Sequence, residues 1–417
     1  MAVTYEPVPA WSVTTALTNV SAASHTRRWT IPLATVVATG LLLISTEGLG
    51  GIARLPSLAA AASAAPAGLA SPSAGLIAAL SGPSLFAGRV LTVLCGCYAQ
   101  LRIVRRMVGS NFGGLAAAAL LIGLTWLVAG PALVSGAPTI GGAFSPTQAA
   151  IAVLTLALAL LLDGLSAAGI ALLGIVFVLQ PEVALWGVLV LAGASAGLAI
   201  DGTRVGRAWL AGSACACLVA VPVAVWWTHA GGFLPTSAPL GGLLPLPPWL
   251  PWSVPLANWV LSVCMLATGL AAFSALGPDG RAASGAFLGG ALVFVCGCVA
   301  PLLSRSPWLL ALRPIAADAV LQPLAIVAVS AVLARDLGRN GGMLRVVLSV
   351  IAAAGLLLHP YLLPLATLAM LARAAAAHGE LLGIERRIRD RNRVFLSRIA
   401  LGAVVLAAVA GGILQNL

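Results

Sequence analysis

Apolar stretches of membrane-spanning length recur from Trp29 to the last residue, Leu417, with only short interruptions between them. Stretches of about 17–25 apolar residues fold as bilayer-crossing helices, and a chain built almost wholly of them has no room for a large extramembrane domain. The expected fold is therefore all-α: a polytopic integral membrane protein of about 13 transmembrane helices, with short loops and interfacial helices in the first outer loop. Composition agrees, because 60% of residues are hydrophobic, only 8% are charged, and mean hydropathy is +1.06. A soluble globular domain would carry about a quarter charged residues.

The charge balance orients the chain. All 22 basic residues are Arg, which suggests a high-GC coding bias, and the net charge is +11. Most of these Arg fall in short loops on one side, so the excess reads as membrane orientation and contact with anionic lipid heads, not as nucleic-acid binding. The first thirty residues are mixed and polar, without the apolar core of a cleavable signal peptide, so the first span is expected to act as its own insertion signal.

Residues 1–28 form a polar leader ending His25-Thr26-Arg27-Arg28, which the positive-inside rule assigns to the cytoplasm. A transmembrane domain over 29–373 follows, with outer loops at 46–85, 134–147, 228–252 and 304–318. Cytoplasmic markers recur at Arg102, Arg105 and Arg106, at Asp201 to Arg207, at Asp279 to Arg281, and at Arg335 to Asn340. Arg89 falls within the second span, and Arg54, Arg305 and Arg313 are left outside. An amphipathic cytoplasmic helix is expected over 374–398, and a last span over 399–417. The spans around Asp163-Gly164 and Gln180-Pro181-Glu182 are short and broken, which a membrane protein tolerates where neighbouring protein or a wet cavity satisfies the freed backbone groups. Leu179-Gln180-Pro181 and Leu321-Gln322-Pro323 are a faint internal echo.

Seven Cys include the pairs Cys95/Cys97, Cys215/Cys217 and Cys296/Cys298, plus Cys264. On a helix, residues two apart point about 200° away from each other, so these pairs do not build a two-thiolate metal face. They read as small packing residues.

Several segments between 85 and 200 carry a resemblance. Gly88-Arg89-Val90-Leu91, Arg105-Arg106 with Gly109 before an Ala-rich span, Ser145-Pro146, the Asp163-Gly164 turn before Ala167-Ala168-Gly169, and Gln180-Pro181-Glu182 are similar to the middle of polytopic glycosyltransferases of the C superfamily. The resemblance implies transfer of a sugar from a polyprenyl-phosphate donor to a glycan or lipid acceptor on the outer face of a bacterial inner membrane, as part of cell-envelope assembly. It also implies a carboxylate just after the first span and a cavity fed from the bilayer. It permits a divalent metal without requiring one, and no other cofactor is called for. The family usually places an Asp or an acidic pair in the first outer loop, whereas Glu47 stands alone here, and many members carry a folded outer domain that this chain lacks. Two other classes therefore stay open: a catalytically inactive membrane scaffold docking a membrane-protein partner, and a transporter or polysaccharide polymerase, for which broken helices and outer Arg are also natural.

The candidate chemistry follows from position. Glu47, Glu182 and Asp318 are the three carboxylates expected on the outer side. Sugar transfer from a lipid phosphate needs a base for the acceptor hydroxyl and cations for the leaving phosphate. Glu47 fits the first role. Arg54, Arg305 and Arg313 fit the second, because guanidinium pairs phosphate oxygens bidentately. Glu182 follows a Pro break at membrane depth, where an ionisable group marks a site or a partner, though it could instead pair with Arg89 or face outer water. Asp318 lies close after Arg313 and could form a local ion pair with it. His229 and His359 are the outer His, and His359 is the one counted with the substrate-binding candidates. Trp226, Trp227, Trp249, Trp252 and Trp308 read first as an interfacial belt and second as sugar-stacking faces.

Overall fold

The computed structural model describes residues 82–109, 112–127, 145–203, 205–229, 254–303, 314–338, 342–357 and 360–377. These are helical, with no strand among them. Eleven α-helices follow one another: α1 (Gly82–Val108), α2 (Phe112–Leu127), α3 (Pro146–Leu162), α4 (Ser166–Leu179), α5 (Pro181–Ile200), α6 (Gly206–His229), α7 (Leu256–Leu276), α8 (Arg281–Leu303), α9 (Asp318–Gly338), α10 (Met343–Leu357) and α11 (Leu363–Ala377). Among the described residues, five helical stretches are long and apolar enough to cross a membrane: Ala87–Val108, Pro181–Ile200, Gly206–Trp226, Leu256–Ala300 and Pro314–Gly338. The fourth holds both α7 and α8, which the short 3₁₀ turn Gly277–Gly280 joins. The described part of the chain is thus an all-α bundle of membrane character.

Successive helices run in opposite directions, and their charges reveal it. Arg102 near the end of α1 pairs with Asp163 just beyond α3 at 2.5 Å. Asp201, just beyond α5, pairs with Arg281 at the start of α8 at 2.5 Å. In the last turn of α9, Arg335 donates to the Leu276 carbonyl at the end of α7 at 2.8 Å, and Asp336 pairs with Arg373 of α11. All of these sit at one end of the bundle, the charged end. Helix α1 runs on through Arg102, Arg105 and Arg106, which fall in its last two turns, to Val108. Arg is a strong helix former, and a cation at a helix C-terminus complements the macrodipole, so the helix has no reason to stop before them.

The reversals at the charged end use Asp-Gly. After α3 the Gly164 N–H bonds the Leu161 carbonyl at 3.2 Å and the Leu165 N–H bonds the Leu160 carbonyl at 2.9 Å. After α5 the same pattern runs from Gly202 to Ala199 and from Thr203 to Leu198, both at 3.0 Å. These double bonds close the helix ends only if the residue after the cap is left-handed, and Gly164 and Gly202 sit at φ 88° and 84°. The two Leu-Gln-Pro echoes have different outcomes. At Gln180 the backbone is extended (φ −155°, ψ 104°) and the chain turns back on itself, with Pro181 opening α5. At Pro323 the helix continues, and its carbonyl accepts from Gln100 Nε2 of α1 at 3.2 Å. Gln100 Oε1 in turn accepts from Trp126 Nε1 of α2 at 2.9 Å, so a buried clamp ties three helices together.

Packing inside the bundle depends on small residues. A Cβ on Gly193 or Gly197 of α5 would strike the backbone of α8 at Gly285 and at Arg281–Ala282. A Cβ on Gly285 or Gly289 of α8 would strike the backbone of α5 at Gly193 and Leu189. Two G-x-x-x-G pairs therefore face each other in antiparallel register, the close approach that membrane helices use where no hydrophobic drive separates protein from lipid. Helix α9 forms the axis: the most apolar window of Pro314–Gly338 is 100% buried, whereas that of Gly206–Trp226 in α6 is 6% buried. Helix α6 packs mainly along α4, with Gly174 against Ala216 and Gly212 against Ile170. Its remaining faces, including Leu210, Leu218, Val221 and Trp226, are exposed, as suits contact with lipid.

Candidate functional site

Glu47, Arg54, Arg305, Arg313 and His359 lie outside the described residues, as do residues 378–398 and the final segment 399–417, while 374–377 form the last turn of α11. Glu182 and Asp318 are described, and the fold brings both to the end of the bundle opposite the charged end. Glu182 stands in the first turn of α5, just after the Gln180 reversal. Asp318 is the first residue of α9, after the 3₁₀ turn Pro314–Ala317.

Helix α8 bridges the two. Antiparallel to α5, it reaches this end near Gly297, where a Cβ would overlap Pro314 and Ile315. About two turns deeper, Gly290 lies against both Val190 of α5 and Leu321 of α9. The register therefore places Glu182 eight residues and Asp318 three residues outward of the Gly290 level, so both acids lie beside the C-terminal half of α8, with Asp318 about five residues, or roughly 7 Å, deeper than Glu182.

Both acids are buried. Glu182 is 3% exposed and Asp318 1% exposed, so Glu182 does not face outer water. Asp318 Oδ2 accepts a hydrogen bond from Ser262 Oγ of α7 at 3.0 Å. Each carboxylate sits at a helix N-terminus, where the macrodipole favours negative charge. One turn further along each helix lies a polar group that sequence reading passed over: Trp186 after Glu182, and Gln322 after Asp318, each 2–3% exposed. Trp186 Nε1 and Gln322 Oε1 make no hydrogen bond among the described residues. A buried donor and acceptor without partners each cost about 1–3 kcal/mol, so this end of the bundle offers polar capacity that water or a hydroxylated ligand would use. The i, i+4 spacing of Glu182/Trp186 and Asp318/Gln322 was the available signal, because residues four apart share a helix face.

A second polar group, also missed, lies at the charged end. Asp336 of α9 takes Arg373 Nε at 2.6 Å and Nη2 at 2.5 Å, and Ser349 Oγ of α10 donates to it at 2.6 Å. The side chains of the ion pair are 4% and 3% exposed. This group ties α9, α10 and α11 together at the charged end.

The seven Cys form no disulfide; Cys97 is fully buried, while Cys215, Cys217 and Cys296 are exposed. Among the described residues no group of three or more His, Cys, Asp and Glu side chains gathers at metal-binding spacing. Comparison with known proteins returns no matching family model, no matching curated protein and no matching solved structure.

Proposed function

We propose that this chain is a multi-pass protein of a bacterial inner membrane, with about thirteen spans and a cytoplasmic N-terminus, that transfers a sugar from a polyprenyl-phosphate donor to a glycan or lipid acceptor on the outer face. In this reading the Arg-rich charged end is the cytoplasmic end, by the positive-inside rule. The observation that supports the reading most is the burial of Glu182 and Asp318 at the opposite end, with Trp186 and Gln322 one turn below. Ionisable side chains at membrane depth are expensive and by default functional.

The reaction assigns a role to each candidate. The acceptor hydroxyl oxygen attacks the anomeric carbon of the donor sugar, and Glu47 takes its proton. The bond between that carbon and the phosphate oxygen breaks, and its electron pair leaves on the polyprenyl phosphate, whose charge Arg54, Arg305 and Arg313 hold. Glu182, Asp318 and His359 accept from or donate to the sugar hydroxyls. The test is replacement of Glu47 and Glu182 by Gln, one at a time, in cells lacking the wild-type copy. Envelope glycans and glycolipids are profiled alongside protein level. Loss of one defined product while each variant accumulates normally supports the reading, and unchanged products from both variants refute it.

A further inference from the structure

Between α1, α3, α5 and the turn joining α7 to α8, the charged end holds an open cavity of about 250 Å³. Arg106, Asp201 and Asp279 line its polar side, and Met107, Leu162 and Leu198 are part of its apolar side. Each carboxylate already faces one guanidinium: Asp201 meets Arg281 at 2.5 Å, and Asp279 meets Arg335 at 3.7 Å. Their side chains are still 40% and 52% exposed, so both retain acceptor capacity. Arg106 has no ion pair or hydrogen bond among the described residues, and it is exposed at the last turn of α1.

Three guanidiniums, Arg106, Arg281 and Arg335, stand around two carboxylates, so the lining carries both signs. An anion is drawn to Arg106, which pairs with no carboxylate among the described residues, and a cation to the exposed oxygens of Asp201 and Asp279. A group carrying both charges satisfies both sides. The anion must suit a guanidinium fork, which phosphate does. The cation must donate hydrogen bonds to carboxylates, which a primary ammonium does and a quaternary ammonium cannot. The cavity lies where the apolar helices end in Arg, the depth of lipid headgroups. Its volume falls below the roughly 300–1,000 Å³ of pockets that enclose whole drug-sized ligands, so it suits a headgroup whose remainder lies outside. Its apolar wall would meet the start of an acyl chain.

We propose that this cavity binds a phosphate ester bearing a primary ammonium group, the chemistry of a phosphatidylethanolamine head, with phosphate on Arg106 and ammonium on Asp201 and Asp279. The site is separate from the proposed sugar-transfer end and does not depend on that reading. The test titrates the purified full chain in mild detergent with short-chain phosphatidylethanolamine, phosphatidylcholine, phosphatidylglycerol and free phosphoethanolamine, following the thermal unfolding midpoint.

Phosphatidylethanolamine is expected to raise the midpoint more than the other two lipids, and Arg106→Gln to weaken its apparent affinity roughly tenfold or more. Asp279→Asn, at a half-exposed position, is expected to remove the preference over phosphatidylcholine. Arg105→Gln, outside the cavity, is expected to leave the response intact. Stabilisation by free phosphoethanolamine at similar concentrations would identify the soluble group as ligand, and stabilisation by the lipid alone would identify the membrane. Equal responses from wild type and Arg106→Gln, an equal loss in Arg105→Gln, or phosphatidylglycerol matching phosphatidylethanolamine would overturn the proposal.

Discussion

Replacing Asp336 by Leu is expected to be among the most damaging single changes at the charged end. The carboxylate receives three charge-assisted or hydroxyl hydrogen bonds, from Arg373 Nε, Arg373 Nη2 and Ser349 Oγ, at 2.5–2.6 Å. Removing it strands a guanidinium whose side chain is 4% exposed. An uncompensated charge from a broken buried pair costs about 3–5 kcal/mol, and Arg373→Met should cost a similar amount by stranding Asp336. The double variant Asp336→Leu/Arg373→Met removes both charges and keeps the apolar volume, so it should fall within about 2 kcal/mol of wild type. The single costs therefore should not add, and the coupling between the sites should be several kcal/mol in the favourable sense. Equilibrium unfolding in mixed micelles of increasing sodium dodecyl sulfate, followed by circular dichroism, measures all four proteins. If the double variant loses the sum of the two singles, the pair is not a mutually compensated buried unit. If Asp336→Leu alone costs less than about 1 kcal/mol, the Arg373 head escapes to water along its stem, and the argument from burial fails.

Three further outcomes follow from particular contacts. Gly193→Leu places a side chain against the Gly285 backbone, which cannot move aside, so it should destabilise the α5–α8 pair by at least the 1–3 kcal/mol typical of overpacking, read as a lower unfolding midpoint. Gln100→Leu leaves Trp126 Nε1 without its acceptor in a buried site and should cost about 1–3 kcal/mol by the same unfolding assay, whereas Ser274→Ala, at an exposed position, should cost little. Cys215 and Cys217 face lipid on α6 and Cys97 is buried in protein, so a water-soluble maleimide should spare all three in folded protein and label them once the chain is denatured; labelling of Cys97 before unfolding would contradict the burial of α1 against its neighbours.

Much of the helical layout was legible because hydrocarbon leaves the backbone no alternative: an apolar run at membrane depth must satisfy its own N–H and C=O groups. Its boundaries were legible where a residue has one strong reason to be there, as at Asp163-Gly164 and at Gln180-Pro181. Arg102, Arg105 and Arg106 mark a boundary in charge without ending helix α1. Of the candidate site, burial of Glu182 and Asp318 could not be read, since a carboxylate after a span is equally at home in loop water. Its neighbours Trp186 and Gln322 looked like ordinary span residues until the packing buried them without partners in the same end of the bundle. The Asp336–Arg373 pair is 37 residues apart and spans two helices, so no local spacing announced it.

Helices α6 and α9 separate the two kinds of information. The apolar windows of Gly206–Trp226 and Pro314–Gly338 have mean hydropathies of 2.0 and 1.9, yet one is 6% buried and the other 100% buried. Sequence alone determined that both are apolar helices, because lipid and protein interior impose the same requirement on the backbone. Only tertiary structure decided which one meets lipid and which forms the axis. In a membrane both surroundings are apolar, so no polar stripe tells a helix which way to face, and close approach through Gly193, Gly197, Gly285 and Gly289, with scattered buried polar contacts such as Gln100 to Pro323, makes that choice instead.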